Sequence, residues 1–360
     1  MKRRSALTLL AGAAAAASAA GGAALPARAG RERVLVLLEL RGGNDGLNTV
    51  APLADSLYRR IRQDLALKAG LPLGRGLVLH PSLAALRPAW EARRLAFALG
   101  VGWPIPNRSH FKASDQWASA SPQGEGPGWL AAAMDRLGST GPLVALAPSG
   151  GPALEGCRVT ALQMAPALLR GRGPLALDPS RAGDNAVLRR MLELELAGSL
   201  ELQRLRSRIE PLPASLAVPR SPLGLQVTLA LQLIASGVCP PVLQMAHVGF
   251  DTHAAQASRH ALALRVLGEA LAAFEAGLAA LPHRPRVTLL GVSEFGRRLR
   301  PNASGGTDHG SASVAFLLGD DVPHPFLGTY PRLDALDDRG DLIPSLAPPV
   351  LYEEVLRQLG

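Results

Sequence analysis

Val287-Thr288-Leu289-Leu290-Gly291-Val292, running into Ser293-Glu294-Phe295-Gly296-Arg297-Arg298-Leu299-Arg300-Pro301-Asn302-Ala303-Ser304-Gly305-Gly306-Thr307-Asp308-His309-Gly310, is the stretch on which the reading of the chain turns. The first six residues are apolar without alternation, as in a strand buried on both faces of a parallel sheet. The glycine-rich loop that follows carries Glu294, Asp308 and His309 to the strand's carboxyl end, where open α/β sheets bind their ligands. Adjacent Asp308 and His309 offer one oxygen and one nitrogen, a pairing better suited to Zn or another transition metal than to Ca or Mg. The competing reading is a polar turn dipeptide with no ligand at all.

Working outward, similar apolar runs at 34–40, 95–101, 144–147, 242–245 and 314–318 are predicted strands. Between them the periodicity predicts helices over 111–120, 129–137, 184–209, 223–236, 254–280 and 350–359. Leu71-Pro72-Leu73-Gly74 interrupts helical patterns between residues 53 and 98. The leucine stripe from Val187 to Leu205 is expected to be core. Strands alternating with helices predict an α/β domain with a mostly parallel sheet.

Several predicted strand ends carry side chains with chemistry. Arg41-Gly42-Gly43-Asn44-Asp45-Gly46-Leu47-Asn48 follows the first run, and Asp251-Thr252-His253 follows the run at 242–245. Pro104 and Pro106 delay the helix after residue 101, placing Ser109 near a helix N-cap, where free N–H groups favour an anion. In a parallel sheet these ends share one edge. Asp45, Asp251, His253, Asp308 and His309 are therefore candidate ligands for one or two divalent cations, Zn among them. Such a cation lowers the pKa of a bound hydroxyl or water and offsets charge on a phosphoryl or sulfuryl oxygen. Ser109 is the candidate nucleophile and Arg108 the candidate clamp for anionic oxygens. A plain N-cap is the alternative for Ser109, with Asn107 competing for that role, and Arg297 and Arg298 are expected to be solvated. A serine hydrolase using Ser109 and His110 is disfavoured, since neighbouring residues rarely face one another as nucleophile and base must, and no Gly-x-Ser-x-Gly elbow is present.

Lys2, Arg3 and Arg4 precede an apolar Ala-rich run to Leu25, and Ala27-Arg28-Ala29 is a small-x-small cleavage pattern. Residues 1–29 are thus expected to be an export signal, with paired Arg3-Arg4 favouring the twin-arginine route to the periplasm or beyond, and 30–360 a single domain. No transmembrane segment is expected in the mature chain. Its removal takes four cations and no acid, so the formal charge of +9 falls to +5. The remaining basicity is nearly all arginine without dense runs or interleaved aromatics, which argues against nucleic acid and is compatible with an anionic small-molecule substrate. The only cysteines, Cys157 and Cys239, allow one disulfide or two free thiols, and no zinc-ribbon spacing exists.

Taken together, Arg-Gly-Gly-Asn-Asp-Gly-Leu-Asn, Pro-Asn-Arg-Ser-His-Phe, Gly-Phe-Asp-Thr-His-Ala-Ala-Gln, Ser-Glu-Phe-Gly-Arg-Arg and Gly-Thr-Asp-His-Gly resemble the bacterial domain-of-unknown-function 1501 family. That family is similar to the alkaline phosphatase and sulfatase superfamily. The resemblance implies an alkaline-phosphatase-like fold, doubly wound, with a mostly parallel central sheet and helices on both faces. It implies Asp45, Asp251, His253, Asp308 and His309 as metal ligands, Ser109 as nucleophile and Glu294 in a supporting position or against Arg297. The Asp-x-His spacing is shorter than the phosphatases' Asp-x-x-x-His, and their late histidine has no clear match, because His324 lies close after His309 in a Pro-rich loop. The resemblance thus leaves two classes open: an exported, metal-dependent hydrolase of phosphate or sulfate esters, and a non-catalytic binding or assembly protein on the same scaffold.

Overall fold

The computed structural model describes residues 33–357 except 140, 149, 157–160, 165–176, 238–239, 321 and 323–324. The expected signal, both cysteines and His324 lie outside the described residues. Eleven strands are described: β1 (Arg33–Arg41), β2 (Val50–Ala51), β3 (Leu71–Gly74), β4 (Leu77–Leu79), β5 (Leu95–Val101), β6 (Leu143–Ala145), β7 (Ala161–Gln163), β8 (Val242–Val248), β9 (Arg286–Val292), β10 (Ser313–Gly319) and β11 (Phe326–Gly328). Among them run helices α1 (Gly46–Thr49), α2 (Ser56–Arg62), α3 (Arg87–Glu91), α4 (His110–Ser119), α5 (Trp129–Arg136), α6 (Ala186–Arg208), α7 (Pro222–Ala235), α8 (Gln256–Ala280) and α9 (Pro348–Arg357).

Eight strands form one sheet in the order β11-β5-β10-β9-β1-β8-β6-β7. The fold is α/β with a mostly parallel sheet, because β10 alone runs against the rest. β1 lies between β8 and β9, and six of its seven central residues, all but Glu39, alternate between two cores. Val34, Val36, Leu38 and Leu40 face Val227 and Leu231 of α7 and Leu267 and Phe274 of α8. Leu35 and Leu37 face the other way, toward Trp117 of α4, Leu130 of α5 and Leu351 of α9. Burial on both faces explains why these strands read as unbroken apolar runs.

The reversed direction of β10 has a direct consequence for the site. The loop from Ser293 to Ala312 joins the carboxyl end of β9 to the amino end of its antiparallel neighbour, so both ends of that loop stay on one sheet edge. Asp308 and His309 precede β10 and reach the edge where β1, β8 and β9 end.

Two expectations are corrected. Leu71-Pro72-Leu73-Gly74 is not a helix break but β3, paired with β4 in a small sheet of order β2-β4-β3. Arg75 and Gly76, both at positive φ, make its two-residue turn, and Pro72 is tolerated because β3 is an edge. The leucine stripe of α6 is not core along its length. Leu205 is buried, but Val187, Met191 and Leu194 are 72%, 62% and 56% exposed. Helical spacing makes a face apolar; whether another element covers it depends on the tertiary arrangement, and among the described residues it is the C-terminal turns of α6 that pack against the core, through Leu202, Leu205 and Ile209.

Candidate functional site

Three histidines converge on Asp251 at this edge, each from a different loop. His110 follows β5 as the first residue of α4, His253 follows β8, and His309 precedes β10. His309 Nε2 lies 3.4 Å from Asp251 Oδ1, His253 Nε2 3.2 Å from the same oxygen, and His110 Nε2 3.6 Å from Asp251 Oδ2. His253 Nε2 and His309 Nε2 are 2.9 Å apart. Among the described residues, His110, Asp251 and His309 offer ligand atoms that all lie within 4.8 Å of one another.

The opposite ring nitrogen of each histidine has its own acceptor. His110 Nδ1 is 2.8 Å from Glu294 Oε1, His253 Nδ1 is 3.3 Å from Asp308 Oδ1, and His309 Nδ1 is 2.7 Å from the Arg108 carbonyl. An acceptor at Nδ1 holds the proton there and leaves the Nε2 lone pair pointing at the centre, the arrangement by which outer partners orient metal-binding histidines. Ligands about 2.0–2.1 Å from a tetrahedral Zn stand about 3.3 Å from one another. The separations around His253, His309 and Asp251 Oδ1 lie close to that value, so this donor set fits a small divalent cation.

The charge states of Asp251, Asp308 and His309 suit this role, while that of His110 runs against it. Burial pushes the His309 imidazole down, which favours the neutral ligand form. Burial alone would raise the Asp251 carboxyl, but the hydrogen bond and charge of Arg297 hold it below the usual carboxylate range. The Asn302 hydrogen bond, followed by that of His253, lowers Asp308. Glu294 is also held low: burial is outweighed by His110 and by the Gly42 N–H, which donates to Oε1 at 2.7 Å. His110 is raised in turn, chiefly by the Glu294 hydrogen bond.

Arg297, expected to be solvated, is buried at the centre of the construction. Its Nε donates to the Gly43 carbonyl at 2.9 Å and its Nη1 to the Thr307 carbonyl at 2.7 Å. Its Nη2 reaches the carbonyls of Gly42 and Phe250 and, at 2.7 Å, Asp251 Oδ1. One guanidinium thus binds the loops after β1 and β8 to the loop before β10. Close backbone approach completes the junction. A Cβ on Gly42 or Gly306 would overlap the backbone of Asp251 or His253 respectively.

The remaining candidates are distributed differently from expectation. Asp308 stands behind His253, with Asn302 donating to it at 3.2 Å. Glu294 supports His110 rather than Arg297. Arg108 is engaged by the buried carboxylate of Asp341 at 2.5 Å. Arg298, also expected to be solvated, has its Nε 3.4 Å from the same carboxylate. Ser109 occupies the N-cap of α4, exposed, and makes no side-chain cap bond. Its neighbours on both sides are tied to the cluster, through the Arg108 carbonyl and the His110 ring.

Asp45 is not in the cluster. Its side chain is fully buried, its Oδ2 accepts from Arg62 Nη1 and Gln256 Nε2, and its Oδ1 is buried without a hydrogen-bond partner. Arg62 holds it below the usual carboxylate range against the opposing effect of burial, with His260 contributing. Nearby, His260 Nε2 lies 3.0 Å from Asn44 Oδ1, and burial pushes the His260 imidazole down to about 4.

His110 is the site residue missing from the sequence-predicted ligands; its signal in the sequence is a place on the first turn of a helix at the sheet edge, rather than a partnership with neighbouring Ser109. Nothing local distinguishes Arg297 from a solvated arginine.

Among the described residues, no helix is long and apolar enough to cross a membrane. A search among curated proteins found no match. Among solved structures, the chain is similar to the C-terminal periplasmic domain of EcEptC from Escherichia coli in complex with Zn, at 11% identity, covering 92% of this chain and 83% of that one with a TM-score of 0.41. A second structure of the same domain aligns at 10% identity over 82% and 75% of the two chains, with a TM-score of 0.36. Residues 99–335, well over half of the chain, match the model of the family described as Protein of unknown function (DUF1501), and the chain belongs to that family.

Proposed function

We propose that the protein is an exported, metal-dependent hydrolase of phosphate or sulfate esters. The observation that carries this reading is the convergence of three Nε2 atoms, from His110, His253 and His309, on the Asp251 carboxylate, with an acceptor behind every ring. A divalent cation held there supplies Lewis acidity toward a phosphoryl or sulfuryl oxygen and a lowered pKa for a bound hydroxyl. Ser109, immediately before His110 and free of capping duty, is the nucleophile in this reading. An anionic small-molecule ester is the substrate, and the twin-arginine signal in residues 1–29 carries the protein to the periplasm or beyond.

Metal content of the purified protein, measured by mass spectrometry, and turnover of aryl phosphates and aryl sulfates with and without added divalent metal test it. Metal-stimulated turnover that disappears in Ser109→Ala and Asp251→Ala is the expected result. Absence of both bound metal and metal-stimulated turnover overturns it. Intact Met1 in the exported protein would overturn the signal.

A non-catalytic binding role on the same scaffold is favoured by one observation: Arg108, the expected anion clamp, is committed to Asp341. Ser109→Ala with an unchanged biological phenotype is the result that would select this second reading.

A further inference from the structure

We propose that the site is built for one divalent cation, not two, with the buried guanidinium groups of Arg297 and Arg62 standing as fixed positive charges beside Asp251 and Asp45. This rests on the metal reading above and specifies its stoichiometry.

A second cation needs a second set of anionic ligands. The carboxylates of this sheet edge are already divided. Asp251 Oδ1 already faces Arg297, His253 and His309, and Oδ2 faces His110, so both of its oxygens belong to the one cluster. Asp308 and Glu294 each stand behind an imidazole. That leaves Asp45, whose carboxylate is bonded to Arg62 and Gln256.

Arg62 has nowhere else to go. Its side chain is fully buried, its Nε donates to the Leu299 carbonyl at 3.1 Å, and its Nη2 donates to the Arg298 carbonyl at 2.7 Å. An ion on Asp45 would place a divalent charge against an immobile guanidinium, in a setting where like charges are poorly screened. Releasing Arg62 instead would strand a buried charge without its partner. Arg297 is equally immobile, fixed by four backbone carbonyls. The two arginines therefore supply the positive charge that a second ion would otherwise bring. Among the described residues, two carboxylate oxygens are buried without a hydrogen-bond partner, Asp45 Oδ1 and Asp341 Oδ1, and each belongs to a carboxylate already paired with arginine.

The experiment titrates the metal-stripped full chain with Zn, using calorimetry and elemental analysis after desalting. One ion per chain is expected. Asp45→Asn combined with Arg62→Met removes the carboxylate and guanidinium together, so that no buried charge is stranded, and is expected to retain one ion with affinity changed less than about threefold. Asp251→Ala is expected to weaken binding by more than about 100-fold, beyond the range typical of outer-partner mutations. Two ions in the unmodified chain overturn the proposal, as does loss of binding in the Asp45/Arg62 double variant. No ion in the unmodified chain overturns the metal reading as well, an outcome distinct from two.

Discussion

Asp45 and Asp251 stand after neighbouring strands, β1 and β8, in polar loops of similar appearance, yet they end in opposite environments. Asp45 is fully enclosed and neutralised by Arg62. Asp251 is half exposed, shares one oxygen with a buried arginine and turns toward three imidazoles. The difference teaches that an acidic strand end becomes a site only when its partners leave it ligand capacity. Buried ion pairs hold structure together because losing one partner is costly, while a carboxylate open to solvent remains free to bind.

The comparison breaks first at Arg62. Replacing it with Met strands the Asp45 carboxylate and is expected to cost about 3–5 kcal/mol in urea unfolding, whereas the double change with Asp45→Asn recovers most of the loss. A single-variant loss below about 1 kcal/mol would show that Asp45 is not structurally committed.

Acid supplies the next test of the enclosed region. His260 titrates near 4 in the folded chain, below its unfolded value of about 6.5. The unfolded chain therefore takes up the proton first as the pH falls. This stability is complete above about pH 6.5, declines toward pH 4 and amounts to about 3 kcal/mol. Asp45, held low by Arg62 against burial, extends the decline to more acidic conditions. Urea midpoints measured between pH 7 and 4 should fall, and fall less in His260→Gln; a flat profile would contradict the burial of this imidazole.

On the open side, Glu294→Gln weakens the acceptor behind His110 and is expected to lower metal affinity about 10–100-fold, read by calorimetry. Asp308→Ala should have the smallest effect on folding. That carboxylate is half exposed, so the urea midpoint should shift by less than about 1 kcal/mol of stability. A larger loss would place Asp308 with Asp45 among the structural acids.

Much of the scaffold was legible. Strands at 34–40 and 95–101 were read within a residue of β1 and β5, because double burial leaves an unbroken apolar run that no helix of that length needs. The N-cap at Ser109 followed from two prolines and a change in periodicity. Helix α8 begins at Gln256 rather than 254, since Ala255 adopts a left-handed conformation to meet the Ser304 carbonyl, a partner remote in sequence. The exposed half of α6 was illegible for a related reason: apolar spacing reports a face but not its cover.

The linear order of apolar runs and polar turns by itself determined the α/β class, the strand ends that carry chemistry and the residue types available there. Only the tertiary structure decided which acids face the imidazole cluster and which are braces. Asp45 meets Arg62 across 17 residues, His110 meets Glu294 across 184, and Arg297 reaches Gly42 across 255. A charge takes its role from burial and partners, and those are set by where distant segments of the chain come to lie.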